Sequence, residues 1–345
     1  MLTVLAVLSV WVERQALDTE EWVTTSEELL EDEDIQAALS AFLAEELQAN
    51  VDVETALEER LPPQAQPLAA PIAAALIQLS DRAAARALSA PKVQDAWVAA
   101  NRAAHEKLID VVEGGDGAVD LDLEPLVADL ATRVGLDPSV AERLPEDVGT
   151  IQIVGEDEID AAQKVAKLIK GLAIVLSILA LGCFGLAIYL ARSDRTSAIL
   201  WAGLGLIGAG IAVLAIRRVA GTAVVEALVE NESAMDAGNA TWSIGTSLLK
   251  SIAWTVIAYG VLFSAAAWLG SSTASARRVR GVLAPTLRDR PGLVYGGLAV
   301  AALLYFALAP THGLRVLLTV VLLAALAAFG IQALRRQAAE ESPRV

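Results

Sequence analysis

The stretch Gly171–Ala191, GLAIVLSILALGCFGLAIYLA, carries no charged residue over 21 positions, and its reading decides the class of fold. A helix of that length covers a hydrocarbon core of about 30 Å. Four more stretches share the property: Thr196–Ile216, Ser251–Gly270, Gly292–Ala309 and Val316–Leu334. The second half of this 345-residue chain is therefore expected to form five full membrane spans. None of the five contains Asp, Glu, Lys, Arg or His. Ion-coupled transport usually needs ionisable groups inside spans, so that mechanism is disfavoured. A lipid-handling groove needs none and stays open as an alternative.

Ahead of the spans the character reverses. From Glu13 to Asp160 there are 34 acidic and 9 basic residues, a net of −25, whereas Ala161 to Val345 holds 8 acidic and 17 basic residues, a net of +9. The overall −16 thus conceals an acidic polar region and basic membrane-flanking loops. Such a region repels nucleic acid, which is excluded as a partner, and also anionic lipid headgroups. The lipid bilayer is the first expected partner, with an envelope protein or a lipid as a further one.

Basic residues near short loops mark the cytoplasmic side. Arg277, Arg278, Arg280, Arg288 and Arg290 form the densest cluster, and Arg192, Arg195, Arg335, Arg336 and Arg344 fall on the same side. The opposite side receives Lys164, Lys167, Lys170, Arg217, Arg218, Lys250 and Arg315. The bias of ten against seven puts the C-terminus in the cytoplasm and residues 13–165 outside. The run Leu2–Val12, LTVLAVLSVWV, is too short to span and lacks a basic leader and a small-residue cleavage site. Residues 1–12 are expected to be the outer end of a truncated N-terminal transmembrane anchor, with Trp11 at the interfacial aromatic belt.

The fold class is mainly α: a polytopic α-helical membrane bundle with an extracytoplasmic, mostly helical domain. The expected domains are the anchor (1–12), the acidic domain (13–165) and the five-span bundle (166–345). The bundle includes an external amphipathic connection over 217–250, where Val224, Val225, Leu228 and Val229 oppose Glu226, Glu230 and Glu232. Within the acidic domain, Asp18 followed by Glu20 and Glu21 reads as an N-cap with an acidic first turn. Ile35, Leu39, Phe42, Leu43 and Leu47 keep helical spacing. Asp52 can cap a short helix through Leu61. Helices after Pro71 and from Pro91 to Val112 are expected to pair antiparallel, ended by Gly114 and Gly115. Leu61–Ser80 is uncharged but proline-rich at its start, which suits a soluble helix.

Val119, Leu121 and Leu123 alternate with acidic residues, and Thr150–Val154, TIQIV, alternates again, so the two predict a small two-stranded sheet. Short helices near Pro125–Val134 and Pro138–Arg143 lie between them. Asp157 or Asp160 can cap a helix that enters the first full span directly. In the membrane half, Gly205/Ala209, Gly208/Ala212 and Gly260/Ser264 are small pairs four apart, suited to close helix contacts. Cys183, the single cysteine, is expected to pack as a small apolar residue.

The most site-like constellation is Trp97-x3-Asn101-Arg102-x2-His105. Trp97, Asn101 and His105 are four apart and share one helix face. One histidine beside Glu106 does not make a zinc site, which takes three protein ligands or more. A general base would need a neighbouring nucleophile or a substrate groove. The residues are thus a candidate polar stripe of unknown role, and the simplest expectation is that they satisfy backbone groups inside the domain. GxSxG, HExxH, CxxC and a complete phosphate loop are all lacking, and Glu113-Gly114-Gly115-Asp116-Gly117 reads as a turn. No catalytic residue, metal ligand or cofactor is assigned.

These pieces resemble a family of uncharacterised multi-pass integral membrane proteins of actinobacteria. The matching segments are WVERQALDTEEWVTT (Trp11–Thr25), VQDAWVAANRAAHEKLIDVVEG (Val93–Gly114), VDLDLEPLV, IQIVGEDEIDAAQKVAKLIK and WLGSSTASARRVR. The resemblance implies an N-terminal span, an external helical domain and a C-terminal bundle, and it brings no activity or catalytic residue. The expected function is that of a non-enzymatic cell-envelope membrane protein whose external domain binds or senses a partner or ligand; the alternative is a transporter or lipid-handling membrane protein.

Overall fold

The computed structural model describes residues 1–50, 62, 69–114, 120–122, 150–152, 156–191, 194–229, 231–271 and 273–279. It is mainly helical, and three of its helices are long and apolar enough to cross a membrane. The elements in chain order are α1 (Leu2–Leu17), α2 (Thr19–Glu31), α3 (Glu33–Asn50), α4 (Ala69–Leu88) and α5 (Pro91–Glu113). Then come β1 (Asp120–Asp122), β2 (Thr150–Gln152), α6 (Glu156–Leu190), α7 (Arg195–Leu228), a 3-10 turn (Glu232–Ala234), α8 (Met235–Gly245) and α9 (Ser247–Gly270). The short segments β1 and β2 run antiparallel with Leu121 opposite Ile151. The expected spans at Gly292–Ala309 and Val316–Leu334, the helix after Asp52 and the helices between β1 and β2 lie outside the described residues.

The chain divides into two units. One comprises Met1–Trp11, Gly171–Arg218 and the chain from Leu248 onward; the other comprises Val12–Lys170 and Val219–Ser247. The divisions fall where uncharged sequence meets charge.

The apolar unit is built on α6, α7 and α9, the three candidate spans, with the start of α1. Its core joins Val4 and Val7 of α1 to Ala209 and Val213 of α7 and to Leu249 and Ala253 of α9, with Trp11 packed at the margin. Helices α7 and α9 approach along Gly203 and Gly210 on one side and Ala253, Gly260 and Ser264 on the other. A Cβ built on Gly203 would lie 2.7 Å from the Gly260 carbonyl oxygen, and one on Gly260 would lie 2.6 Å from that of Gly203. Neither backbone leaves room for a side chain. Gly210, seven residues on, meets the Ala253 carbonyl in the same way. The α7–α9 contact therefore uses Gly203, Gly210 and Gly260/Ser264, while Ala209 of the expected small pairs lies in the buried core and Ala212 packs against it. Among the described residues, a Cβ on Gly208 would meet nothing within 4 Å, and one on Gly205 only the Phe184 ring edge at 3.9 Å. Positions 203 and 210 fall on one line of the helix, whereas 205 and 208 point elsewhere. Cys183 is exposed on α6 rather than packed among apolar neighbours.

The polar unit opens at Asp18, whose carboxylate accepts from the Glu20 and Glu21 backbone N–H groups and starts α2. Asp32 repeats the device for α3 through the N–H groups of Asp34 and Ile35. At the other end of the domain, α5 stops at Gly114, where φ is +121°, a conformation open chiefly to glycine. The principal pairings are α2 with α5 and α3 with α4; α4 and α5 touch only lightly, so the expected α4–α5 hairpin is not the main pair. Val23, Ser26 and Leu30 supply the buried side of α2, and Ala96 that of α5.

The connection between α7 and α9 begins as a continuation of a candidate span. Helix α7 runs past Arg217 and Arg218 to Leu228 without a break, because no proline or cap intervenes. The apolar stripe of the connection lies on these last turns: Val225 is buried, but Leu228 is exposed. Val225 and Val229 approach Gly238 of α8, and Trp242 of α8 covers Gly221. Helix α8 packs on α2 and α3, which makes the connection part of the polar unit.

Candidate functional site

The stripe Trp97, Asn101, His105 lies on α5, and its two ends, Trp97 and His105, meet α2. Starting from the chain ends of the contact, the Trp97 indole N–H donates to the Ser26 carbonyl at 3.0 Å. About one and a half turns along, the Arg102 guanidinium makes a two-pronged ion pair with the Glu20 carboxylate, one arm of which is 3.0 Å long. At the far end His105 is 3 % exposed. Its ring stacks on Trp22 with centroids 5.0 Å apart and planes 20° from parallel.

The hydrogen bonds of His105 define its protonation. Nε2 lies 3.3 Å from the Ala16 carbonyl oxygen, in the last turn of α1. A carbonyl can only accept, so Nε2 carries the proton. Nδ1 lies 3.1 Å from the Thr19 hydroxyl, which then donates to it. The neutral ring satisfies both partners. Burial pushes the His105 pKa below the ordinary imidazole value, opposed by the Ala16 carbonyl and by the nearby carboxylates of Asp18 and Glu106. The Glu20 carboxyl is held below its usual range first by its hydrogen bonds to Arg102, and Glu20 raises Arg102 in turn.

Trp97 and His105 are brought to the interface with α2 but not to one centre, and no contact with α2 is shown for Asn101. Asn101 donates to the Trp97 carbonyl of its own helix, 3.0 Å away, and bonds to neither ring. The hydroxyl–imidazole pair of Thr19 and His105 has the composition of a base and a nucleophile, yet its imidazole is enclosed by Trp22 and by the ends of α1 and α2. The chemistry this arrangement performs is fastening: it pins the end of α1, the start of α2 and the face of α5 together. Gln15 adds to the fastening by donating to the Thr25 hydroxyl at 2.9 Å. Among the described residues no three of His, Cys, Asp and Glu are grouped to hold a metal ion.

A second fastening joins α5 to α6. The Gln163 amide donates to the Val111 carbonyl at 2.9 Å, and Lys170 pairs with Glu113. Sequence reading had Arg102 and His105 in view but not their partners Glu20, Thr19 and Trp22. The available signal was the pair of segments Trp11–Thr25 and Val93–Gly114, which carry the two surfaces that meet.

Comparison with protein-family models, with curated proteins and with solved structures gave no match.

Proposed function

We propose that the chain is a non-enzymatic cell-envelope membrane protein whose acidic region, residues 13–165, lies outside the membrane and binds or senses a partner. One observation carries this reading, the continuity of α6. It begins among acidic residues, is bonded to α5 through Gln163 and Lys170, and continues without a break as the uncharged stretch from Gly171. The same helix thus belongs in part to each unit.

Five spans, a small sheet built on the Leu121–Ile151 pair, a cytoplasmic C-terminus and membership in the actinobacterial family belong to the same reading. Aromatic residues support the membrane level. Tyr189, Trp201 and Trp268 are exposed near the ends of α6, α7 and α9 that adjoin Arg192, Arg195 and Arg277. Such positions suit an interfacial aromatic belt. Along those helices, Lys170, Arg217 and Lys250 stand roughly 24–29 Å away at 1.5 Å per residue, close to one hydrocarbon thickness.

Cysteine labelling with a membrane-impermeant maleimide tests the orientation. Ser89→Cys is expected to react on intact cells and Ser275→Cys only after permeabilisation; external reaction of both would overturn it. Partner binding is tested by pull-down with the full chain and with a chain lacking 13–165. A partner recovered equally by both would remove the binding role.

A further inference from the structure

Among the described residues His105 is the only histidine, and histidine is the side chain whose ordinary charge change falls between pH 5 and 8. Its imidazole is buried, with Trp22 stacked on it. It also sits where three pieces of the polar unit meet. Nε2 lies 3.3 Å from the Ala16 carbonyl oxygen of α1, Nδ1 lies 3.1 Å from the Thr19 hydroxyl of α2, and the ring itself belongs to α5. One titratable side chain therefore touches all three helices.

The bonds suit the neutral ring. Protonation would leave Nε2–H donating to Ala16 but would make Nδ1 a second donor. The Thr19 hydroxyl would have to stop donating and accept instead. A charge would also be enclosed between an indole and two helix ends, where its desolvation is costly. The carboxylates of Asp18, in the turn after α1, and of Glu106, on α5, favour the charged ring, as does the Trp22 face. On α2, Glu20 is bound to Arg102, and on α1 Glu13 and Arg14 carry opposite charges. Burial outweighs these neighbours and holds the ring below its ordinary value.

We propose that the α1–α2–α5 junction is an acid-released latch: protonation of His105 opens it locally and frees the end of α1 and the start of α2 from α5. Helices α3 and α4, which pair with each other and contain no histidine, stay closed. The ligand sensed is the proton. This goes beyond the partner-binding reading and requires neither its partner nor its orientation.

Hydrogen exchange of the full chain in phosphatidylcholine nanodiscs tests it, with each amide's rate divided by its intrinsic rate at the same pH. The reporters are the N–H groups of Asp18, bonded to the Arg14 carbonyl, of Glu20 and Glu21, bonded to the Asp18 carboxylate, and of residues 102–108 in α5. Asp34 and Ile35, held by Asp32 in the same manner, are the control. Between pH 7.5 and pH 5 the reporters are expected to lose protection several-fold while the control keeps it. About thirtyfold is the ceiling, set by a ring that titrates near 6.5 only in the open state. His105→Gln, neutral throughout, should abolish this pH dependence whatever its baseline protection. Glu106→Gln, at an exposed position, removes a carboxylate that favours the charge and should deepen the loss at pH 5. Unchanged reporter protection in the wild type, an equal loss in His105→Gln, a shallower one in Glu106→Gln or an equal loss at Asp34 and Ile35 would each overturn the latch.

Discussion

Two helix contacts in this molecule solve the same problem with opposite means. Where α2 meets α5, the interface is assembled from added groups: Trp97 to Ser26, Arg102 to Glu20, His105 to Ala16 and Thr19. Where α7 meets α9, it is assembled from missing ones, with Gly203 and Gly260 letting backbone lie on backbone. The difference follows from the solvent each contact is made for. In water, apolar residues such as Val23, Leu30 and Ala96 provide the drive and polar bonds fix the register. In lipid the tails are as apolar as the side chains, so close packing supplies the attraction.

The sharpest way to break this contrast is Gly260→Leu. Its Cβ would press on backbone, which no rotamer relieves, so we expect a loss of about 3 kcal/mol or more, at the upper end of overpacking effects. Detergent or bicelle unfolding of the full chain reads it; a loss no greater than that of Gly208→Leu would show the glycine contact to be incidental. Next in size is His105→Ala, which removes the stack on Trp22 and leaves Thr19 and Ala16 without their partner. A cost of about 2–3 kcal/mol is expected. Hydrogen exchange should localise it to the end of α1 and to α5, while α7 and α9 keep their protection.

Acidity gives a smaller effect. Because burial lowers the His105 pKa in the folded state, the unfolded chain takes up its proton first, near pH 6.5. This part of the stability is complete above that pH and declines as pH falls below it, towards the lower pKa of the folded state. His105→Gln should flatten the profile in that window. Glu20 has the same sign at lower pH: its folded pKa lies below the usual 4.5, so its contribution is lost only as the solution becomes more acidic than that. The smallest expected change is Glu20→Gln at neutral pH. The pair is exposed, so a cost under about 1 kcal/mol that fades with salt is anticipated. Denaturation at low and high ionic strength distinguishes it from a buried pair.

The sequence made some of these elements readable because the signal is local. The Asp18 cap, the Gly114 stop and the uncharged lengths of α6, α7 and α9 each depend on a few neighbouring residues. The shared face of Trp97, Asn101 and His105 was equally readable from spacing. What spacing does not carry is the partner. Periodicity tells which side of α5 is used, but nothing in it prefers α2 over the adjacent α4. In α7, four-residue pairs of small residues occur on several faces, so Gly205 and Gly208 looked as suitable as Gly203 and Gly210. The reach of α7 to Leu228 was obscured by Arg217 and Arg218, which end an apolar stretch without ending a helix.

The docking of α8 on α2 and α3 has a consequence for biosynthesis. The polar unit is made of two pieces of chain separated by Gly171–Arg218, the later part of α6 and most of α7. As the ribosome proceeds, α2 and α3 emerge early, but the helix that covers them emerges only after α6 and α7 have been synthesised. The polar unit is therefore completed only after α6 and α7 have been made, although most of it comes first in sequence. A fragment ending near Lys170 carries α2 and α3 with their α8 surface bare, which makes it a poor substitute for the whole chain in expression work.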